Sequence, residues 1–139
     1  MVDKSVLRNK INFINESLNK LNSLRQLNKD EFLNSFQAVD SSKYNLQVAI
    51  EAIIDIASHI IAREKMGVPA TSADAVKLLS EHGLFNEQQT LRTIQMIKFR
   101  NRIVHLYQEV NNEQVYEILQ TGLSDIQEFI DQIEKNVLQ

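Results

Sequence analysis

The chain has 139 residues, a length that suits one domain, expected to span 1–139, around a single hydrophobic core. It contains neither Cys nor Trp, which excludes disulfides, thiolate nucleophiles and Cys-based zinc sites. A net charge of −3 argues against a protein that holds nucleic acid mainly by bulk positive potential, and no unbroken apolar run reaches the roughly 20 residues of a membrane span. The start, Met1-Val2-Asp3-Lys4, lacks an apolar core, so a cytoplasmic protein without membrane contact is expected.

Strand alternation is absent, and Leu7, Ile11, Ile14, Leu18 and Leu21 repeat at steps of four and three, the stripe of an amphipathic first helix. Asp30 is a cap candidate for a short turn carrying Phe32, Leu33 and Phe36. Asp40, Ser41 and Ser42 are cap candidates for a long second helix running to about Glu64. That helix carries Leu46, Ile50, Ile53, Ile56, Ile60 and Ile61 among others and is apolar around most of its circumference, so it should be the spine of the fold. Met66-Gly67-Val68-Pro69 ends it. Ser72 should cap a short helix through Leu79, and Gly83 should stop that segment. Asn86 with Gln89 three residues on reads as a capping box for a fourth helix. Asn111 with Gln114 repeats the signature before a last helix, which Gly122 weakens without necessarily ending. The pattern predicts an all-α, antiparallel up-and-down bundle of about five helices.

Charge is unevenly placed. Between Gln88 and Gln108 stand Arg92, Lys98, Arg100 and Arg102 with no carboxylate. Beyond Asn111 the acids Glu113, Glu117, Asp125, Glu128, Asp131 and Glu134 face Lys135 alone, which predicts a solvated acidic face on the last helix.

Inside the basic island, Phe99-Arg100-Asn101-Arg102-Ile103-Val104-His105-Leu106-Tyr107 sets a permanent cation five residues before an imidazole, with an amide directly after the cation. This stretch resembles the motif of the HEPN superfamily, and with Tyr107 it takes the longer form Arg-x4-His-x-Tyr, which is similar to HepT-like ribonuclease toxins. Tyr44-Asn45-Leu46-Gln47-Val48-Ala49-Ile50-Glu51-Ala52 and the stretch from Asp55 to Ile61 also resemble the second helix of that family. The resemblance implies the toxin of a toxin–antitoxin system, cleaving RNA without metal or cofactor by attack of the 2′-hydroxyl on phosphorus. It implies His105 as the proton-exchanging group, Arg100 as the stabiliser of phosphate charge and Asn101 as the residue that orients the imidazole or binds phosphate. Lys98 and Arg102 would attract RNA nonspecifically.

Five residues rotate about 140° on an ideal helix, so Arg100 and His105 cannot share a face unless the helix changes course or two subunits combine. The resemblance favours the second solution, a homodimer or higher homo-oligomer with its site between protomers. It also implies AMPylation of Tyr107 by an MNT-type nucleotidyltransferase antitoxin. If the helix persists, Tyr107 lies near the face of Arg100, where added AMP would block the cleft by bulk and charge.

Plainer readings stand beside these. Lys98 and Arg102 fit a solvated surface, and Tyr107 fits an aromatic whose hydroxyl is satisfied at the core rim. Glu51, Asp55 and His59 recur every four residues on the spine helix, but no second helix offers the matching carboxylate and His of a bundle metal site, so a polar seam is expected. His82, beside Gly83, reads as a helix C-terminal cap. The rival function is a noncatalytic substrate-binding or regulatory partner of a nucleotidyltransferase.

Overall fold

The computed structural model describes residues 1–139, and its ordered elements are helical throughout. α1 (Lys4–Leu24) leads through α2 (Lys29–Leu33) into α3 (Phe36–Arg63); α4 (Ser72–Glu81), α5 (Glu87–His105), α6 (Asn112–Thr121) and α7 (Leu123–Ile133) follow. A 3-10 turn (Tyr107–Glu109) joins α5 to α6, and a π turn (Glu134–Leu138) closes the chain.

The stripe expected on the first helix is the buried face of α1, where Leu7, Ile11, Ile14, Leu18 and Leu21 lie against α3. α3 packs on all six other α-helices, as its nearly all-round apolar surface demands. It is also the one helix whose length and composition would let it cross a membrane. Here most of its apolar residues belong to one core cluster of 33 side chains, with Phe36 and Tyr44 left exposed.

Seven α-helices replace the expected five, for two local reasons. The residues read as a short turn form α2, which Asn28, not Asp30, caps in a reciprocal box with Glu31. The last helix is divided at Gly122, where a Cβ would lie 3.0 Å from the Ile118 carbonyl oxygen, a close approach that glycine avoids at the α6–α7 junction.

Helix starts differ from expectation elsewhere. α3 begins at Phe36 because the Ser35 hydroxyl accepts from the Ala38 N–H at 3.1 Å. Asp40, Ser41 and Ser42 therefore lie inside the helix and cap nothing. Thr71 caps α4 by accepting from Asp74 N–H, with Ser72 one place inside. Each such cap is worth about 1 kcal/mol. Asn86 and Gln89 form the expected box, whereas Asn111 caps α6 alone, because the Gln114 side chain does not return to it. Gly67, at φ 128°, carries the turn after α3. His82 ends α4 as expected, its Nδ1 2.9 Å from the Leu78 carbonyl.

Candidate functional site

Early in α5 the buried face is made by Thr90, Thr93, Ile94 and Ile97; later it passes to Phe99 and Ile103. That shift leaves Lys98, Asn101, Arg102 and His105 exposed and Arg100 half-buried against α3. Arg100 Nη2 and Nε both donate to Glu51 Oε2, at 2.8 and 3.2 Å, and its Nη1 donates to Asn101 Oδ1 at 2.9 Å. The Gln47 amide donates to the same Glu51 oxygen at 3.4 Å. A guanidinium has five N–H donors, and three of those on Arg100 are used, so two remain for an anion. The imidazole of His105, the last residue of α5, makes no hydrogen bond and faces solvent.

The carbonyl oxygen of Asn101, for which the sequence left two roles, accepts from Arg100 Nη1 and so steadies the guanidinium. α5 stays α-helical from Glu87 to His105, so the angular separation of Arg100 and His105 on one chain stands, and the helix does not change course between them.

Tyr107 departs from its expected place, because α5 ends at His105 and Leu106 turns the chain out of the helix at φ −135°. Its position is set by α3. The hydroxyl donates to Asp40 Oδ1 at 2.8 Å, and the ammonium of buried Lys43 sits 4.4 Å from the ring centroid. Partial burial, then the hydrogen bond to Asp40 and its negative charge, raise the Tyr107 hydroxyl pKa from 10.0 to about 12. The residue is still 40% exposed.

The polar seam on α3 resolves into separate contacts. Glu51 holds Arg100, Asp55 pairs with Lys10 at 3.0 Å, and His59 Nε2 accepts from the Asp3 N–H at 3.0 Å. The acidic tail is only partly solvated. Arg92 bridges to Asp125 and Glu128, tying α5 to α7, and burial raises the Asp125 carboxyl above its usual range.

Lys98 and Arg102 take part in no ion pair or side-chain hydrogen bond. Both line a cleft of about 510 Å³ bounded by α3, α5, α6 and α7. Neither this cleft nor the contacts of Asp40, Lys43 and Glu51 had a local signal, since each joins residues far apart in the chain.

An all-α bundle that carries Arg, Asn and His on the last turns of one helix, with a Tyr just beyond, has the frame of a HEPN protein. The model of the family described as Ribonuclease HepT-like matches residues 14–133, and the chain belongs to that family. It is similar to the mRNA nuclease HepT of Shewanella oneidensis, 38% identical over 103 residues that make up 74% of this chain and 77% of the relative. It is also similar to the tRNA nuclease HepT of Aphanizomenon flos-aquae, 24% identical over 132 residues, 95% of this chain and 90% of the relative. Among solved structures, a tri-AMPylated Shewanella oneidensis HEPN toxin in complex with MNT antitoxin superposes with a TM-score of 0.88 at 33% identity, covering 98% of this chain and 100% of that one. The chain is a ribonuclease of the toxin–antitoxin class.

Proposed function

We propose that Arg100, Asn101 and His105 are the catalytic groups and that they cut RNA as pairs, the guanidinium of one protomer acting with the imidazole of another. The observation that carries this is the state of the two side chains. Arg100 is fixed by Glu51 and Asn101 with two N–H groups unused, and His105 is exposed and unpartnered on the same regular helix. Neutral His105 takes the proton of the 2′-hydroxyl as its oxygen attacks phosphorus; protonated, it gives a proton to the departing 5′-oxygen, and a cyclic phosphate end results. The free N–H groups of Arg100 meet the charge that builds on the non-bridging oxygens. No metal is required by these steps.

The homodimer face in this reading lies along α3 beside Glu51. Tyr44, Val48 and Glu51 follow at steps of four and three, and Phe13 of α1 lies beside them, which leaves exposed apolar surface next to Arg100. The domain acts as one unit over 1–139 in the cytoplasm.

Control falls on Tyr107. An MNT-type antitoxin transfers AMP from ATP to the hydroxyl oxygen, pyrophosphate leaves, and Asp40, already 2.8 Å away, accepts the hydroxyl proton. The added phosphate and nucleoside exclude RNA by charge and volume.

Purified protein incubated with total RNA in EDTA tests the reaction. Cleavage with cyclic phosphate ends is expected, and it should vanish in His105→Ala; cleavage lost in EDTA, or kept by that variant, defeats the mechanism. For the control step, an MNT antitoxin with ATP should add AMP mass to the wild type and none to Tyr107→Phe.

A further inference from the structure

On α5, Asn101 and His105 are one turn apart, and Lys98 and Arg102 are each three or four residues from one or both of them. These four exposed side chains make one continuous strip. Its far edge, Lys98 and Arg102, is also the rim of the cleft between α3, α5, α6 and α7.

The cleft has a floor and a rim of different chemistry. Leu46 and Ile50 of α3, Phe99 of α5 and Ile126 of α7 give it a buried apolar floor. Two amide side chains, Gln95 on α5 and Gln114 on α6, stand on its walls. Neither makes a side-chain hydrogen bond within the protein, so both are available to a ligand. The guanidinium of Arg102 lies 5.5 Å from the Phe99 ring centroid, at the lip.

An apolar floor, amides able to donate and accept, and two unpaired cations at the mouth match a flat heteroaromatic ring joined to a phosphate. A nucleotide has that form: bases of single-stranded RNA are splayed out, held on aromatic or guanidinium planes and read at their edges by polar side chains. From His105 to Phe99 is six residues, about 9 Å along the helix axis, so a nucleotide close to the scissile linkage can reach the cleft.

We infer that this cleft is a base-recognition subsite, taking one nucleotide that flanks the cut while Lys98 and Arg102 hold its phosphates. The inference rests on the nuclease reading above and adds the source of sequence preference. The cleft would thereby turn a general phosphate-cutting site into one that selects among RNA positions.

Two variants and two readouts test it. Ile118→Trp on α6 fills the cleft, and Gln95→Ala removes a single exposed amide without touching the core. Cut ends are mapped in an RNA pool randomised around the cleavage position. Wild type should show a preference at one flanking position, and both variants should reduce it, Ile118→Trp by about 10-fold, the scale of losing one stacked base. A uniform flanking composition in wild type, or a preference kept by both variants, overturns the subsite.

The second readout needs no cleavage. 2-Aminopurine is placed at successive positions of a short single-stranded RNA bound to His105→Ala. A fluorescence change confined to one position, and lost on adding Ile118→Trp, is expected; equal signals at every position refute the inference. Absence of His105-dependent cutting would sink the nuclease reading while this binding measurement still decides the cleft.

Discussion

Arg92 and Arg100 stand two turns apart on α5, both partly buried and both facing carboxylates, yet they are used differently. Arg92 donates twice to Glu128 through Nη2 and its Nε lies 3.4 Å from Asp125, with Gln89 also bonded to Glu128, so its guanidinium, although 37% exposed, is enclosed between two acids that staple α5 to α7. Arg100 meets one carboxylate oxygen and one amide and keeps two N–H groups open. Both guanidiniums leave N–H groups unused, so unused donors alone do not separate them; their neighbours do, two acids of another helix around Arg92 against one acid beside Arg100, with exposed His105 further along the same helix.

The largest effects should come from breaking the poised end. Arg100→Ala and His105→Ala should each lower the cleavage rate by about 10²- to 10⁴-fold, the range for loss of a proton-transfer group or a charge stabiliser. Mixing the two inactive proteins sharpens the claim. If each site combines Arg100 of one protomer with His105 of its partner, a mixed dimer holds one intact site and activity returns. Mixtures as inactive as their components would place both groups in one protomer.

Glu51→Gln comes next. It keeps the shape of the side chain but removes the charge that fixes Arg100, so cleavage should fall by about 10- to 100-fold through misplacement of the guanidinium. Stability should change by less than about 1 kcal/mol, since the pair is partly solvated. A Tm loss with unaltered cleavage would make Glu51 a structural residue only.

At the enclosed end the order reverses. Glu128→Ala removes the acceptor shared by Gln89 and Arg92 and should cost about 0.5–1 kcal/mol, discounted for its partial exposure, as read in thermal melts. Cleavage should stay within about twofold, because the staple lies three turns from His105. A rate loss comparable to that of Glu51→Gln would erase the distinction between the two arginines.

The same division explains what the sequence could disclose. The apolar spacing on α1 and the continuous apolar surface of α3 are local patterns, so both helices and the central place of α3 were readable. Arg100, Asn101 and His105 were readable as a motif. The start of α3 was not, because Ser35, Asp40, Ser41 and Ser42 are all competent caps and only the folded chain shows that Asp40 faces Tyr107. Nor was the end of α5, since Leu106 leaves the helix without Gly or Pro beside it. The five-helix count failed at Asn28, whose capping box with Glu31 starts α2, and at Gly122, where the last helix divides and an added Cβ would crowd Ile118. The division of labour between Arg92 and Arg100 depends on carboxylates 36 and 49 residues away, beyond any local period.

The smallest effect concerns Tyr107, which neither arginine touches. The folded chain binds its hydroxyl proton more tightly than the unfolded chain, so this contribution to stability is complete below about pH 10 and is lost as pH rises through about 12. Absorbance titration should resolve one of the three tyrosines ionising near 12. Asp40→Asn should lower that value only part of the way to 10.0, because burial, the largest cause, survives the substitution. A complete return would make Asp40 the sole cause, and no movement would remove the Asp40 contact from solution. The partial shift would show the Tyr107 hydroxyl held by α3, through burial and the Asp40 contact together, without any part played by Arg100 or His105.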